Sequence, residues 1–298
     1  MLVFIQNPAS RVHCLLSGTM IIDFHTHILP PEIIGRRDEI ASREEWFDAL
    51  YSDPAARMAT AEELIAEMDR TGIDKSVVCG FAFDSLDLCR ECNSYVADAV
   101  RRWPGRLYGF AVIPPLVPGS GAELERCAAL GFRGIGELLP DGQGFDLDKP
   151  EHLKPLAEAA ESLKLPLLIH MSEPVGHHYP GKGLTTPEKG ISFSRAFPEL
   201  TLIFAHWGGG LPFYELMPEV RRDLVRVYYD CAAGPYLYES AVFPIAVKMV
   251  GHEKILLGSD FPLIPPERYL RELDEAGLGE KELAAITGGN AMRILGED

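Results

Sequence analysis

Short apolar runs alternate with helical patterns along the whole chain, and this alternation is the feature that most restricts its fold. The runs predict strands at 20–26, 75–81, 106–113, 132–137, 166–170, 201–206, 226–231 and 254–259. Apolar spacing of three and four residues predicts helices at 61–71, 85–102, 121–130, 150–164, 190–197, 212–224, 239–250 and 280–294. Such alternation is typical of a parallel sheet, and eight units predict a closed (β/α)8 TIM barrel, with an open doubly wound sheet as the alternative.

Side chains that can bind a metal end four of these strands. His25 and His27 close the first run, and their spacing on a strand places both imidazoles on one face. His170, His206 and Asp260 end the fifth, sixth and eighth runs. In a closed barrel these strand ends meet at one mouth, whereas an open sheet gives no reason for them to coincide. The sequence therefore predicts a metal site at the mouth of a barrel.

Length and composition fit a single barrel domain over 20–298. The chain has 298 residues, of which 47% are hydrophobic and 24% are charged. Because the first strand follows Met20 directly, we expect residues 1–19 to be a short extension or the product of an upstream start codon. The net charge of −16 argues against nucleic acid or an anionic membrane surface as a partner, since both would repel the chain.

The cysteines and the first residues indicate the compartment. The six cysteines do not frame loops, which argues against a disulfide scaffold and favours a reducing environment; they are Cys14, Cys79, Cys89, Cys92, Cys127 and Cys231. The Cys89-x-x-Cys92 pair falls within a helical pattern and is interpreted as structural. The start of the chain lacks the pattern of a secretory signal, and no apolar stretch is long enough to span a bilayer. We therefore expect a cytoplasmic protein.

Taken as a set, four motifs resemble those of the amidohydrolase superfamily, in particular its amidohydrolase-related group of metal-dependent hydrolases and decarboxylases. The motifs are Asp-Phe-His25-Thr-His27, Leu-Ile-His170, Phe-Ala-His206-Trp-Gly-Gly-Gly and Leu-Gly-Ser-Asp260-Phe-Pro, and the resemblance covers roughly residues 20–296. It implies that His25, His27 and Asp260 hold one divalent metal, with His170 and His206 across the same mouth. Imidazole and carboxylate ligands suit zinc, which is the first expectation, and also manganese or iron.

Glu137 ends the fourth strand and is expected to face the same mouth. At this place many members of the family carry a carboxylated lysine, and some carry a glutamate. The resemblance therefore implies that Glu137 bridges two ions, the second of which is held by His170 and His206. The alternative is that Glu137 pairs with Arg133 or Lys182, or caps a turn after the strand.

The two-ion arrangement predicts a hydrolase in which metal-activated water attacks the carbonyl of a lactone, amide or ester. Asp260 is then the catalytic residue that takes the water proton and passes it to the leaving group. A second interpretation within the family is non-oxidative decarboxylation of an unsaturated or aromatic acid. It places one metal on His25, His27, His170 and Asp260, with His206 as the catalytic proton carrier. A barrel that binds a metabolite without turnover is the third interpretation.

Residues near these strand ends are candidates for binding a small-molecule substrate. His178 and Lys182 lie in a polar segment after the fifth strand, where they could bind a substrate carboxylate, and Trp207 follows His206. Glycines 208–210 allow the backbone to approach the metal or ligand closely. No nucleotide-binding glycine motif is present, so metal is the only cofactor expected. The family resemblance also implies a homo-oligomer.

Four long segments that follow strands are expected to wall the mouth, at 28–59, 171–189, 207–213 and 261–279. The first is long enough to hold a small lid helix. Asp23 is expected to orient a ligand imidazole. Asp230, Cys231 and Tyr236, at and after the seventh strand, either form pocket surface or have ordinary packing and turn roles.

Overall fold

The computed structural model describes residues 19–297, so all but the last residue of the predicted 1–19 extension, and Cys14 within it, lie outside the described residues. Eight parallel strands form one sheet in chain order. They are β1 (Ile22–His27), β2 (Lys75–Cys79), β3 (Leu107–Ala111), β4 (Gly134–Leu138), β5 (Leu167–Ile169), β6 (Leu202–Phe204), β7 (Val227–Asp230) and β8 (Ile255–Leu256). Every predicted strand is therefore confirmed, although most are shorter than the apolar run that predicted them.

The barrel closes between β1 and the segment that follows β8. The backbone N–H of Phe24 donates to the carbonyl of Leu257 at 2.7 Å, and that of His27 donates to the carbonyl of Phe261 at 2.7 Å. The backbone N–H of Asp260 returns a bond to the carbonyl of His25 at 2.9 Å. Because these bonds join the first strand to the last, the sheet is a closed (β/α)8 barrel and not an open doubly wound sheet.

Helices surround the barrel and cover part of its mouth. They are α1 (Pro31–Gly35), α2 (Arg37–Ala41), α3 (Glu45–Tyr51), α4 (Ala61–Thr71), α5 (Leu86–Arg102), α6 (Ser120–Ala129), α7 (Pro150–Leu163), α8 (Pro187–Ala196), α9 (Leu211–Tyr214), α10 (Pro218–Asp223), α11 (Gly234–Leu237), α12 (Val242–Val250), α13 (Pro266–Glu275), α14 (Glu280–Ala284) and α15 (Asn290–Leu295). Short 3-10 turns lie at His206–Gly210 and His252–Lys254, and a π turn lies at Ala285–Gly289. Within residues 19–297, no helix is both long and apolar enough to cross a membrane.

The helices differ from the sequence prediction at several places. The predicted helix at 212–224 divides into α9 and α10, since Pro218 starts a new helix. The predicted helix at 280–294 contains a π turn, where a Cβ on Gly288 would lie 1.9 Å from the carbonyl oxygen of Met20. Helix α13 was not predicted, although Pro266 at its first turn is a typical helix start.

The core has two layers that alternate along each strand. In β2, Val77 packs in one cluster with Phe24 and Phe110, whereas Val78 packs in a second cluster with helix residues such as Leu64. Successive side chains of a strand point to opposite faces, so the first cluster fills the barrel and the second joins barrel to helices. The five cysteines in the described part of the chain are buried thiols.

The turn after β6 is left-handed over five consecutive residues. His206, Trp207, Gly208, Gly209 and Gly210 have φ of 57°, 56°, 57°, 62° and 92°. This conformation costs roughly 1–2 kcal/mol for each residue with a side chain, so glycine relieves most of the strain. A Cβ on Gly209 would lie 2.3 Å from the carbonyl oxygen of Ser172, so glycine allows a close approach to the backbone of the segment after β5.

Gly209→Ala is expected to destabilise the protein more than Gly277→Ala. Both glycines have positive φ, of 62° and 68°, but a Cβ on Gly277 meets nothing within 4 Å. Gly277→Ala should therefore lower the free energy of unfolding by only about 1–2 kcal/mol. The midpoints of urea unfolding measure both effects. Equal shifts for the two variants would show that contact with Ser172 does not restrict position 209.

Candidate metal centre

Three ligand atoms from the two edges of the barrel seam converge at its mouth. The Nε2 atoms of His25 and His27 are 3.0 Å apart. Asp260 Oδ1 lies 3.3 Å from Nε2 of His27 and 3.8 Å from Nε2 of His25. Ligands of one ion with bonds of about 2.0–2.2 Å lie roughly 3.0–3.6 Å apart. These three side chains therefore fit a single divalent cation.

A second group of three ligand atoms lies beside the first. Glu137 Oε1 is 3.1 Å from His170 Nδ1 and 3.1 Å from His206 Nε2, and these two nitrogens are 3.0 Å apart. The other oxygen of Glu137, Oε2, is 3.6 Å from Nε2 of both His25 and His27. The Glu137 carboxylate thus lies between the two groups, with one oxygen toward each.

A bulge in β4 directs Glu137 into the mouth. Ile135 pairs with Leu167 and Leu138 pairs with Ile169, so β4 has one residue more than β5 over this stretch. Gly136 has φ of +122°, and a Cβ there would lie 2.2 Å from the carbonyl oxygen of Leu168. Only glycine fits this close approach, and the bulge turns the next side chain inward.

The alternative partners considered for Glu137 are engaged elsewhere. Arg133 is 3.5 Å from Glu297, on the outside of the barrel. Lys182 donates to the carbonyl oxygens of Val175 and His177 within its own segment. Glu137 therefore contacts histidines at the mouth and not a surface cation.

Asp230, which ends β7, holds both groups of ligands in place. Its Oδ2 is 2.8 Å from Nδ1 of His25, and its Oδ1 accepts the backbone N–H of His206 at 3.0 Å. A carboxylate on Nδ1 keeps the proton there and leaves Nε2 free to bind a metal. Sequence reasoning left Asp230 unassigned, although its place at a strand end matches that of the predicted ligands.

Asp23 has a different role from the one expected. Its Oδ1 accepts the backbone N–H of Ser259 at 2.9 Å and that of His25 at 3.3 Å, so it contacts backbone and no ligand imidazole. Burial raises the pKa of Asp23 to about 6, against the opposing effect of these bonds. Asp23 thus links the two sides of the barrel seam beneath the centre.

Without a bound cation, protonated imidazoles offset the negative charges of the carboxylates in the centre. Burial would raise the pKa of Asp260, but the hydrogen bond from His27 and the nearby imidazoles lower it to about 2. Burial would lower the pKa of His206, but the hydrogen bond and charge of Glu137 raise it to about 9. The pKa of His25 is also raised well above its usual value, chiefly by Asp230 and Glu137 against the effect of burial. A divalent cation must therefore displace protons from imidazoles.

A cavity of about 700 Å³ lies above the centre, and segments that follow the strands form its walls. His27, Glu137, His170, His206 and Asp260 form its polar floor. The predicted lid in 28–59 is a chain of three short helices, of which α3 supplies Tyr51 to the wall. Burial raises the pKa of Tyr51 to about 12, so its hydroxyl stays protonated.

The predicted substrate-binding residues do not line this cavity. His178 is exposed, Lys182 ties its own segment together, and Trp207 is buried beside Gly234 with 1% of its surface exposed. Their neighbours His177 and Tyr179 do line it. Arg57, which sequence reasoning did not select, also lines the cavity. A substrate-binding role for His178, Lys182 and Trp207 stays a prediction without support from the geometry.

Metal affinity is expected to rise with pH. Because the pKa values of His25 and His27 are raised well above their usual value, the cation-free protein holds protons on these imidazoles at neutral pH. From about pH 6.5 to about pH 8.5, the dissociation constant for Mn²⁺ should fall by about tenfold per pH unit for each proton displaced. Competition with a chelating dye measures it. A pH-independent constant would show that the histidines are already neutral.

Asp230→Asn is expected to weaken metal binding by about 10- to 100-fold, since His25 loses the carboxylate that fixes its free nitrogen. Asp48→Asn is the matched control, because Asp48 is exposed on α3. The Mn²⁺ dissociation constants of both variants test this. Equal Mn²⁺ affinity in the two variants would show that Asp230 does not position His25 for metal binding.

Known proteins resemble this chain over most of its length. The amidohydrolase family model (Amidohydro_2) matches residues 22–296. A 2-amino-3-carboxymuconate-6-semialdehyde decarboxylase of Dictyostelium discoideum is 28% identical over 334 aligned positions, which cover 93% of this chain and 92% of that protein. A gamma-resorcylate decarboxylase of Polaromonas sp. is 23% identical over 255 positions, covering 70% and 76%.

Among solved structures, this chain is similar to a dihydroxybenzoic acid decarboxylase from Polaromonas sp., with a TM-score of 0.72. That structure contains manganese and the inhibitor 2-nitroresorcinol. It is 18% identical, and the match covers 93% of this chain and 97% of that one. At this identity the likeness supports the barrel fold alone.

The comparisons correct the predicted reaction. The expectation of lactone, amide or ester hydrolysis is wrong, because the curated relatives named above are decarboxylases. The donor groups of the mouth are common to both reactions, so the motifs alone did not separate them. The match of the family model over residues 22–296 shows that the chain belongs to the amidohydrolase family.

Proposed function

We propose that the chain is a metal-dependent, non-oxidative decarboxylase of an unsaturated or aromatic carboxylic acid. The observation that carries this proposal is His206, a buried imidazole whose Nε2 faces the cavity floor beside Glu137. The relatives support it, since curated proteins that match 70–93% of the chain carry decarboxylase names. The substrate is a small carboxylate-bearing molecule.

We assign His25, His27 and Asp260 as the ligands of one divalent cation. Their ligand atoms lie 3.0–3.8 Å apart, and the longest of these distances is only slightly above the spacing around one ion. Manganese is the first choice because a structural neighbour contains it, with zinc and iron as alternatives. When bound, the cation supplies positive charge that attracts and polarises a substrate oxygen. Glu137 Oε2 lies 3.6 Å from Nε2 of His25 and of His27, so its carboxylate faces this group.

His206 is the residue we assign to proton transfer. Decarboxylation breaks the bond between a carbon and its carboxylate, and a proton must take the place of the lost CO2. His206 Nδ1 donates to the carbonyl of Ala232 at 3.0 Å, which fixes the ring and directs Nε2 into the mouth. Its pKa, raised to about 9 by Glu137 against burial, keeps the imidazole protonated at neutral pH. The proton passes from Nε2 to the carbon, and solvent restores it afterwards.

Glu137 and His170 hold this proton carrier in position. Glu137 Oε1 accepts from Nε2 of His206 at 3.1 Å. The His170 ring lies against the His206 ring, with centroids 4.6 Å apart and planes at 69°. His170 Nε2 donates to the carbonyl of Gly181 at 2.9 Å, so the segment 171–189 fixes the orientation of the His170 ring. Because the His170 ring packs on His206, the position of the proton carrier depends on this segment.

His206→Gln is expected to reduce the rate of CO2 release by about 10²- to 10⁴-fold, while the bound metal is retained. The assay uses manganese-loaded enzyme with 2,6-dihydroxybenzoate (gamma-resorcylate) and 2-amino-3-carboxymuconate-6-semialdehyde, the acids for which the curated relatives are named. In D2O the product should carry one deuterium at the carbon that lost CO2. His178→Gln is the control, because His178 is exposed and outside the cavity. Full activity in His206→Gln would exclude the assigned proton carrier.

Metal stoichiometry tests the same assignment independently of the substrate. We expect one ion per chain in the native protein and in Glu137→Gln, because His206 needs a free Nε2 to carry a proton. Elemental analysis after mild purification measures this. Two ions in the native protein, with one lost in Glu137→Gln, would make His206 a ligand and contradict its role in proton transfer.

A further inference from the structure

The cavity above the centre is larger than a single-ring acid requires. It opens to solvent at its rim and has a volume of about 700 Å³. By comparison, a cavity of about 150 Å³ holds benzene. A monocyclic acid with its carboxylate at the cavity floor would therefore leave most of the space filled with water.

Most of the surface that lines this cavity is apolar. The metal ligands and His206 occupy the floor, and the apolar wall is formed by Tyr51, Phe81, Ala82, Leu139, Leu237 and Pro262. Polar side chains also line the cavity; they are Ser52, His177, Tyr179 and Tyr236, together with the exposed, charged Asp53 and Arg57. The apolar wall itself offers a polar distal group few partners.

Aromatic packing supports the inner wall. Tyr51 and Phe81 pack on Phe47, with ring centroids 4.9 Å and 5.3 Å away, and Phe81 packs on Phe83 at 4.9 Å. Toward the rim, Tyr236 and Leu263 line the cavity although they are 57% and 51% exposed. The apolar lining thus extends from the aromatic wall to the rim.

We infer that the natural substrate carries an extended apolar group on the side away from its carboxylate, and that the outer part of the cavity binds this group. The placement of the carboxylate rests on the proposed function, but the binding of the apolar group does not. The substrate is thus an acid with an alkyl or second aromatic substituent, larger than a dihydroxybenzoic acid.

Binding of an unreactive series tests the inference without turnover. The ligands are 2-nitroresorcinol with hydrogen, methyl, propyl or pentyl opposite the nitro group, added to manganese-loaded protein in a calorimeter. The dissociation constant should fall about two- to fourfold per methylene, since each buried CH2 contributes up to ~0.8 kcal/mol. The heat-capacity change of binding should become more negative along the series. A constant affinity from hydrogen to pentyl would overturn the inference.

Two variants locate the binding of the apolar group. Ala56→Phe fills the outer cavity at a half-buried lining position and should reduce the affinity for the pentyl ligand to that for the methyl ligand. Ala56→Ser is the matched control and should retain the difference. Leu263→Asn, at an exposed rim position, should weaken pentyl binding alone. Equal weakening of every ligand, or of none, would overturn the inference.

The two proposals fail in different ways. Affinity that rises with chain length, together with no CO2 release from any acid, would overturn the decarboxylase and support the apolar subsite. CO2 release together with a flat affinity series would support the decarboxylase and overturn the subsite.

Discussion

The buried carboxylate of Asp230 is the interaction on which the rest of the centre depends. It joins three strand ends, since it belongs to β7, contacts His25 on β1 and accepts the backbone N–H of His206 after β6. A carboxylate with 0% exposure is stable only when its oxygens are paired, and these partners satisfy both of them. The bond to Nδ1 leaves Nε2 of His25 facing the mouth, and the bond to the backbone of His206 fixes the start of the turn after β6. One buried residue outside the cavity lining therefore positions a candidate metal ligand and the turn that carries His206.

The sequence predicted the architecture well because strand and helix periodicities are local signals. All eight strands and most helices appear where the apolar runs place them, and a closed barrel then brings His25, His170, His206 and Asp260 to one mouth without further information. The role of Asp230 could not be predicted from local pattern, because its partner His25 is 205 residues away. The position of Glu137 depends on a bulge that leaves no trace in hydrophobic periodicity.

The segment 171–189 shows a different limit of the sequence prediction. Its polar residues suggested His178 and Lys182 as substrate contacts, but Lys182 binds carbonyl oxygens of its own segment. Those bonds determine which of its neighbours line the cavity. The reaction was mispredicted for a related reason. Histidines and carboxylates around a cation serve hydrolysis and decarboxylation alike, and the choice depends on which imidazole keeps a free nitrogen and on what fills the cavity.

The seam of the barrel places a constraint on how the protein matures. The three assigned ligands come from β1 and from the segment after β8, so 235 residues separate His25 from Asp260, counted as 260 minus 25. During synthesis the two histidines therefore emerge long before Asp260, which follows the last of the eight strands. With this assignment, the nascent chain cannot assemble the ligand set until all eight strands have left the ribosome. A chain truncated before β8 lacks the complete set.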